Sequence, residues 1–190
     1  MNLLPLASEP FTPPADRDML PSERREFVRT HRTCVFGYRR RHDGPAMSIV
    51  YYVPTGDDEI LVSTMAGRAK ANAVARDGKV SLCVLDERWP FSFLQVYADA
   101  VIDRDPDLVI DVMMGVGWRM SGQQAGQEAR PFVHEMAERE DRLVIRCRPY
   151  ATFATPPRHL YANEDASELT HWGSSSVAWD APDPVAREMS

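Results

Sequence analysis

Short segments of alternating apolar and polar residues, separated by turn residues, fill the first half of the chain. Thr33–Tyr38, Pro45–Val53 and Glu59–Thr64 are rich in β-branched and aromatic residues. Asp43-Gly44 and Pro54–Asp58 lie between them and favour tight reversals. The pattern predicts three consecutive antiparallel strands in a meander. Further strands are predicted over Val80–Leu85, Phe91–Asp103 and Leu143–Phe153, the last with an edge position or a bulge at Pro149.

Helical patterns occur between and after these segments. A short amphipathic helix is predicted within Met19–Arg32, with Ser22 as its N-cap. Further helices are predicted over Ala69–Ala75, from Asp105 to about Gly115, and over Arg130–Arg139, with a glycine-rich loop over Trp118–Gly126. Many short strands with one helix between the third and the fourth favour a small barrel.

The two ends of the chain differ from the middle. Residues 1–17 are rich in proline and lack periodicity, so we expect an extended arm before a barrel domain over residues 18–155. Residues 156–190 form a proline-rich extension that still carries aromatic and large apolar residues. Because disordered tails usually have fewer of these, we expect part of the extension to pack on this subunit or on a partner; its large residues are Leu160, Tyr161, Trp172 and Trp179.

Charge and composition narrow the classes of function. The 190 residues carry a net charge of −6, which argues against a general nucleic-acid binder or a protein of anionic membrane surfaces. No apolar run reaches the roughly 20 residues that cross a bilayer, and the N-terminus does not resemble a signal peptide. Cys34, Cys83 and Cys147 lie in strand-like segments without a CxxC pair. We therefore expect a cytoplasmic protein with reduced thiols and no membrane partner.

The stretch Leu61–Arg76 is the strongest chemical signal. Ser63 and Thr64 end a strand, Gly67 suits the turn, and Arg68 and Lys70 then stand at the start of a basic helix. Hydroxyls, free backbone N–H groups and the positive end of the helix dipole form a candidate anion site, for which phosphate is the natural guest. The alternative is that both cations are simply solvated. The glycine spacing of a Walker loop is missing.

The hairpin HDGPAMS and the stretch VSTMAGRAKANAVARDGKVSLCV give the chain a family resemblance. Over residues 20 to 155 it resembles the pyridoxamine 5'-phosphate oxidase-like, FMN-binding split β-barrel superfamily. Within that superfamily it is most similar to the F420-dependent flavin/deazaflavin oxidoreductases of the B type. The resemblance implies a mainly β (β+α) fold, a split β-barrel of about six antiparallel strands with peripheral helices. It also implies a homodimer with a cofactor site at each side of the subunit interface.

Site residues follow from the same resemblance. Arg68 and Lys70 match the residues that hold the cofactor phosphate, and Ser63 and Thr64 match positions beside it. The strand residues Met47, Ser48, Ile49 and Val50 match the backbone against which the ring system lies. Two features depart from the family: Ala98-Asp99-Ala100 replaces a Gly-Thr-Ala step, and the arginine-rich substrate motif of true pyridoxamine phosphate oxidases is absent from the tail.

The implied function is an oxidoreductase that moves a hydride between F420 and an unsaturated small organic substrate; FMN is the alternative cofactor. Such cofactors carry the chemistry themselves, so the motif requires no catalytic acid. Trp89, Trp118 and Arg119 are possible substrate or ring contacts, although a packing or surface role is the favoured interpretation of each. A non-catalytic haem or cofactor carrier on the same fold stays open, with a histidine as axial ligand, and no metal-binding spacing such as HExxH occurs. The candidate axial ligands are His31, His42, His159 and His171.

Overall fold

One curled antiparallel sheet forms the frame of the protein. The computed structural model describes residues 2–14, 17–88, 91–154 and 176–184. In this part of the chain the strands follow the order β2-β1-β5-β6-β7-β4-β3, and β8 pairs with β7. The strands are β1 Thr33–Arg39, β2 Pro45–Tyr51, β3 Val53–Pro54, β4 Ile60–Met65, β5 Lys79–Asp86, β6 Ser92–Asp103, β7 Arg142–Ala154 and β8 Ser176–Ala178.

The sheet closes into a barrel at Tyr52. β2 and β3 stand at opposite ends of the strand order, yet only Tyr52 separates them in the sequence. The Tyr52 side chain is fully buried, and its hydroxyl donates a 2.7 Å hydrogen bond to the Val28 carbonyl oxygen. One continuous stretch therefore supplies both edges of the sheet, and the helix that contains Val28 fixes the crossing point.

The pairing of β4 corrects the predicted meander. β1 and β2 form the expected hairpin, but β4 pairs with β7 and β3 instead of β2. The error arises because the stretch from β2 to β3 crosses to the far edge of the sheet before it reverses. Short-range turn signals predict where a strand ends but not which distant strand it joins.

In the described part of the chain, four helices pack around the sheet: α1 Pro21–Thr30, α2 Ala69–Asp77, α3 Pro106–Ser121 and α4 Arg130–Arg139. A single 3-10 turn, Gln127–Ala129, precedes α4. α3 continues beyond the predicted end at Gly115, so the loop predicted from Trp118 is wrong up to Ser121. A Cβ at Gly115 would lie 3.0 Å from Val53 Cγ2, so this glycine allows the helix to pack closely against β3. Gly122, at φ +72°, ends it.

The predicted N-cap of α1 is also wrong. Leu20 is the N-cap, and its N–H donates to the Glu23 carboxylate over 2.8 Å. Ser22 lies inside the first turn, and its hydroxyl donates instead to Asp183 near the end of the described chain. The acidic residue in the first turn thus replaces the hydroxyl as the partner of a free N–H group.

Two hydrophobic clusters lie on opposite sides of the sheet. The barrel interior is filled by residues that include Phe27, Phe36, Leu82 and Ile145. A second cluster packs between α3, α4 and the strands β3, β4 and β7. Along β4 the alternation sends Ile60 and Val62 inward and Leu61 toward α3. Each such fully buried side chain stabilises the fold by about 1.5–3 kcal/mol.

The bulge predicted at Pro149 is confirmed. Tyr97 pairs with Ala151, whereas the next residue, Ala98, pairs with Pro149, so Tyr150 is the extra residue on β7. On its other side, β7 pairs with β4 up to Cys147 and with β8 from Ala151. Pro149 lies in the gap between these two partners, where its missing N–H leaves no ladder position unfilled.

Both ends of the chain contribute packed segments. The N-terminal arm forms an isolated bridge between Leu3 and Thr55, and the Leu4 N–H donates to the Pro54 carbonyl oxygen over 2.9 Å. At the other end, β8 extends the sheet and Trp179 is buried in the barrel interior. The expectation that part of the extension packs is therefore confirmed for residues 176–184. Leu160, Tyr161 and Trp172 lie outside the described residues. No helix in the described part is long and apolar enough to span a bilayer.

Candidate functional site

The start of α2 carries two unneutralised cations. β4 ends at Met65, the Arg68 N–H closes the turn onto the Met65 carbonyl oxygen over 3.1 Å, and α2 begins at Ala69. Arg68 is the N-cap and Lys70 lies in the first turn. Among the described residues, neither side chain has an acidic partner or a hydrogen bond. The predicted strand–turn–helix arrangement is confirmed, and it leaves two positive groups available for an anion.

Lys70 is held against an aromatic ring. Its Nζ atom lies 6.0 Å from the centroid of Phe36, and the side chain is half-buried. Burial lowers the pKa of Lys70, and the nearby Arg68 and Arg142 lower it further. Arg142 is a third cation that the sequence did not reveal. It lies beside Met65 in the β4–β7 register, and it is itself paired with Glu140. An anion would relieve the repulsion within this group.

Ser48 stands on the same face of the sheet as Phe36. The two residues are directly opposite in the β1–β2 register, so both side chains point to one side. The Ser48 hydroxyl is buried and has no hydrogen-bond partner among the described residues. An unpartnered buried hydroxyl costs about 1–3 kcal/mol. Since Lys70 lies over the Phe36 ring, an unpartnered hydroxyl and an unpaired cation stand on the same face of the sheet, as an anion site requires.

Ser63 and Thr64 point in opposite directions. Thr64 follows Ile60 and Val62 along the interior face of β4, whereas Ser63 follows Leu61 on the face that α3 covers. Ser63 also carries a buried hydroxyl without a described partner. Of the two predicted residues, Thr64 lies on the interior face that carries Phe36, and Ser63 faces the second hydrophobic cluster.

β2 offers an open backbone edge beside this group of residues. Within the described chain it pairs only with β1. Val50 faces inward opposite Cys34, while Met47 and Ile49 face outward and are 72% and 79% exposed. The four predicted residues of this strand therefore divide between two faces, with Ser48 and Val50 on the interior side.

An exposed apolar surface continues from Met47 and Ile49 across three more strands. Ile49 stands opposite Val35, Val35 opposite Cys83, and Cys83 opposite Gln95. We call this surface, together with Met47 and Tyr97, the outer sheet face. All six side chains are half-exposed or exposed. Contiguous apolar surfaces of this kind commonly mark protein interfaces.

Of the predicted ring contacts, the two that the structure describes lie elsewhere. Trp89 is outside the described residues, and Trp118 and Arg119 are in the last turn of α3. Arg119 is 1% exposed and donates hydrogen bonds to the carbonyl oxygens of Gly115 and Leu4 over 3.1 and 2.9 Å. It lines a cavity of about 340 Å³ beneath the N-terminal arm. None of the residues grouped around Lys70 lines that cavity, so the structure does not bring these two sets together.

The charge of Arg119 is poorly compensated. Its Nε–H has no hydrogen-bond partner, and no carboxylate pairs with it among the described residues. Burial lowers the pKa of Arg119. The neighbouring Tyr52 hydroxyl is uncharged at neutral pH, because burial raises its pKa well above the usual value. A cation at a helix C-terminus gains about 0.3–1 kcal/mol, or about 2 in favourable cases. Burying an ion costs several kcal/mol, so the helix end does not offset the cost.

The three consecutive arginines belong to a different cleft. Arg39, Arg40 and Arg41 line an open cleft of about 600 Å³ together with His42 and Arg76 of α2. Asp77 accepts from both Arg39 and Arg76, and these bonds lower its pKa to about 2. Arg40 pairs with Asp43. Much of the positive charge is thus neutralised locally, as in a solvated loop.

None of the described histidines belongs to a cluster that could hold a metal ion. His31 is buried; its Nδ1 lies 2.7 Å from the Phe27 carbonyl oxygen, and its Nε2 faces Asp86 at 3.6 Å. His134 lies on the surface beside Glu138. His42 is exposed, and His159 and His171 are outside the described residues. No group of three His, Cys, Asp or Glu residues in the described chain is arranged to hold a metal ion.

The curled sheet that closes at Tyr52 defines the protein as a split β-barrel. The family model of pyridoxamine 5'-phosphate oxidase matches residues 20–155. The chain therefore belongs to the pyridoxamine 5'-phosphate oxidase family. A search of the curated proteins found no match.

Solved structures show the same fold. A conserved hypothetical protein from Mycobacterium tuberculosis superposes with a TM-score of 0.66 at 22% identity, over 83% of this chain and 99% of that one. A protein described as an F420 reductase gives 0.50 at 18% identity, over 66% and 91%. A haem-binding protein from Mycobacterium smegmatis gives 0.57 at 11% identity, over 86% and 59%. At these identities the likeness establishes the fold alone, because one fold serves several functions.

Proposed function

We propose that the protein is a cytoplasmic, homodimeric oxidoreductase that uses coenzyme F420 to reduce an unsaturated small organic substrate. Arg68 and Lys70 bind the cofactor phosphate, with Ser48 and Thr64 nearby and the backbone of β2 along the ring system. FMN is the alternative cofactor, since it presents a phosphate to the same cations.

The absence of counter-charges at Lys70 and Arg68 carries this proposal. Most other cations of the described chain pair with a carboxylate, including the exposed Lys79, which pairs with Asp99. Lys70 remains unpaired although burial already disfavours its charge. The unpartnered Ser48 hydroxyl adds a donor on the same face as Phe36, the ring that Lys70 covers. A phosphate satisfies all three groups by charge-assisted hydrogen bonds.

The cofactor, when bound, supplies the hydride chemistry. The chain's own residues bind, orient and enclose it. Lys70 and Arg68 fix the phosphate end and Phe36 supports the lysine. The free edge of β2 presents backbone donors and acceptors without a strand partner in the described chain. These roles need no catalytic acid from the protein.

A second copy of the chain is the proposed partner at the outer sheet face. The exposed residues Met47 and Ile49 flank Ser48 in β2, so a subunit packed on this face lies next to the proposed cofactor site. Asp99, which departs from the family pattern, lies at the rim of this face, where it pairs with Lys79. The ion pair at the rim and the apolar residues within it have the anatomy of a protein interface.

Side-by-side titration with F420 and FMN, followed by fluorescence, tests the cofactor. We expect saturable binding of F420 and weaker binding of FMN. Lys70→Ala should weaken binding by about 1–3 kcal/mol, the usual size of a charged hydrogen bond. Arg76→Ala is the control, because Arg76 is a cation in the last turn of the same helix whose first turn carries Lys70. Equal affinities of wild type and Lys70→Ala would refute the assigned phosphate site, and a preference for FMN would move the protein to the flavin branch.

The haem carrier is the remaining alternative, and its axial ligand is the point to test. Of the described candidates, His31 is buried with its Nδ1 held at the Phe27 carbonyl oxygen, whereas His42 is exposed. A Soret shift on addition of haem that His42→Ala removes would favour the carrier. The same titration without any shift would eliminate it.

A further inference from the structure

We propose that the cavity beneath the N-terminal arm binds a small organic carboxylate, with the guanidinium of Arg119 as its partner. The cavity has a volume of about 340 Å³ and lies between the arm, β3, the C-terminal half of α3 and the segment that leads to α4. Neither the F420 proposal nor the family assignment requires a ligand there.

Arg119 has no counter-charge among the described residues of the cavity wall. Arg119 is buried, and its hydrogen bonds go to two uncharged carbonyl oxygens, those of Leu4 and Gly115. Its Nε–H is unpartnered. Arg130, the other cation of the cavity wall, is already paired with Asp111. The cavity therefore carries one net positive charge from described residues, and an anion inside it would supply the missing counter-charge.

The wall of the cavity combines apolar and polar side chains. Leu3, Leu4, Val53, Met114 and Trp118 supply the apolar part of the lining, and polar side chains supply the rest. Two amides stand at its outer side, Gln124 and Gln127, and both residues are exposed. A cavity of this size lies at the small end of ligand sites. A compact apolar or aromatic body with one carboxylate fits this lining better than a strongly hydrated inorganic anion does.

The site is separate from the cofactor site. The two share no lining residue, and Leu61 and Val144 of the second hydrophobic cluster lie on the α3 side of the sheet, away from Phe36. Binding in the cavity can thus be measured on the protein without F420 or FMN. A failure of the F420 proposal would leave this measurement unaffected.

Isothermal titration with phenylacetate tests the proposal on the full chain. We expect saturable binding in the millimolar range. Arg119→Met keeps the aliphatic length without the charge and should weaken binding about 10- to 100-fold, the range for a lost charged hydrogen bond. Arg76→Met, in the separate arginine cleft, is the matched control and should bind as wild type does. Absence of binding, or equal affinity in Arg119→Met, would overturn the proposal.

A second variant covers the case in which Arg119→Met does not fold. Gln127→Glu places a carboxylate in the cavity wall at an exposed position, with little change in shape. It should raise the melting temperature, because it supplies the counter-charge within the chain, and it should weaken phenylacetate binding at least about tenfold. Unchanged phenylacetate affinity in this variant would contradict the proposal.

Two further probes define the ligand class. Phenylacetamide keeps the ring without the charge, and inorganic phosphate keeps a charge without the ring. Both should bind at least about tenfold more weakly than phenylacetate, since each lacks one of the two recognised features. If phenylacetamide binds as tightly, the site does not recognise charge. If phosphate does, the apolar wall contributes nothing; either result would reject an organic carboxylate as the ligand.

Discussion

Lys70 covers the ring of Phe36, and Phe36 stands directly opposite Ser48 across the β1–β2 pair. The lysine from a helix and the serine from an edge strand are thereby brought to one face of the sheet. Their positions in the sequence do not reveal this relationship, which depends on the register of β1 against β2. Because they share this face, substitutions of Lys70 and of Ser48 should both affect binding of the proposed cofactor.

Ser48→Ala should separate the stability of the protein from its affinity for the cofactor. Removing a buried, unpartnered hydroxyl should raise the free energy of unfolding by up to about 1 kcal/mol, measured by urea denaturation. Affinity for F420 should fall at the same time, because a donor to the phosphate is lost. The matched control is Ser63→Ala, which removes a similar hydroxyl on the opposite face. If F420 affinity falls as much in Ser63→Ala as in Ser48→Ala, the effect of Ser48 does not depend on its position on the interior face of the sheet.

The two lysines should differ in their reaction with acetic anhydride. The pKa of Lys70 is lowered, chiefly by burial, whereas the Asp99 carboxylate raises the pKa of Lys79. Only the uncharged amine reacts, so the reactive fraction of Lys70 should rise at lower pH than that of Lys79. Peptide mass spectrometry over a pH series gives both curves from one sample. Identical midpoints would contradict the shifts, and F420 should protect Lys70 alone if it binds there.

Cys83 should report on the homodimer. It lies half-exposed in the outer sheet face, while Cys34 and Cys147 are buried and burial raises the pKa of all three thiols. In a dimer formed through this face, Cys83 should resist maleimide. Ile49→Asp should give a monomer by analytical ultracentrifugation and expose Cys83 to the reagent. A wild-type monomer would refute the homodimer, and a dimer that survives Ile49→Asp would place the interface elsewhere.

Glu59 should make stability depend on pH. Burial acts to raise its pKa, but hydrogen bonds from Arg148 and Arg146, each at 2.7 Å, outweigh burial and lower it. A carboxyl whose pKa is lower in the folded state stabilises the protein above its unfolded pKa of about 4.5 and loses that contribution as the pH falls through the folded value. Glu59→Gln should therefore be less stable at pH 7 and lose less stability between pH 7 and acid than wild type.

The control for Glu59→Gln is Asp43→Asn, which breaks an exposed pair with Arg40. Exposed pairs contribute about 0–1 kcal/mol, so this variant should follow the wild-type curve of unfolding free energy against pH. Parallel curves for wild type and Glu59→Gln would mean that the Glu59 cluster is not the source of the acid sensitivity.

Local sequence signals predicted most helices and strands, but they did not predict which distant strands pair with each other. The glycine turn at Gly67 and the helix formers after it were sufficient to place Arg68 and Lys70 at a helix start. Arg142 was missed because it approaches α2 only through the pairing of β4 with β7. α3 was predicted too short because glycine disfavours helices in general, whereas Gly115 here provides close contact with Val53. The different surroundings of Ser63 and Thr64 could not be predicted, because the sequence does not show that both faces of β4 are covered.

The partnership of β4 with β7 also has a consequence for the order of folding during synthesis. β4 ends at Met65, but its long partner begins only at Arg142. A nascent chain that has left the ribosome as far as α3 therefore has β1, β2, β5 and β6 available for pairing, while β4 lacks its main neighbour. Contacts between strands so distant in sequence form late and slowly. The exposed edge of β4 is accordingly the segment that a chaperone would need to shield until β7 emerges.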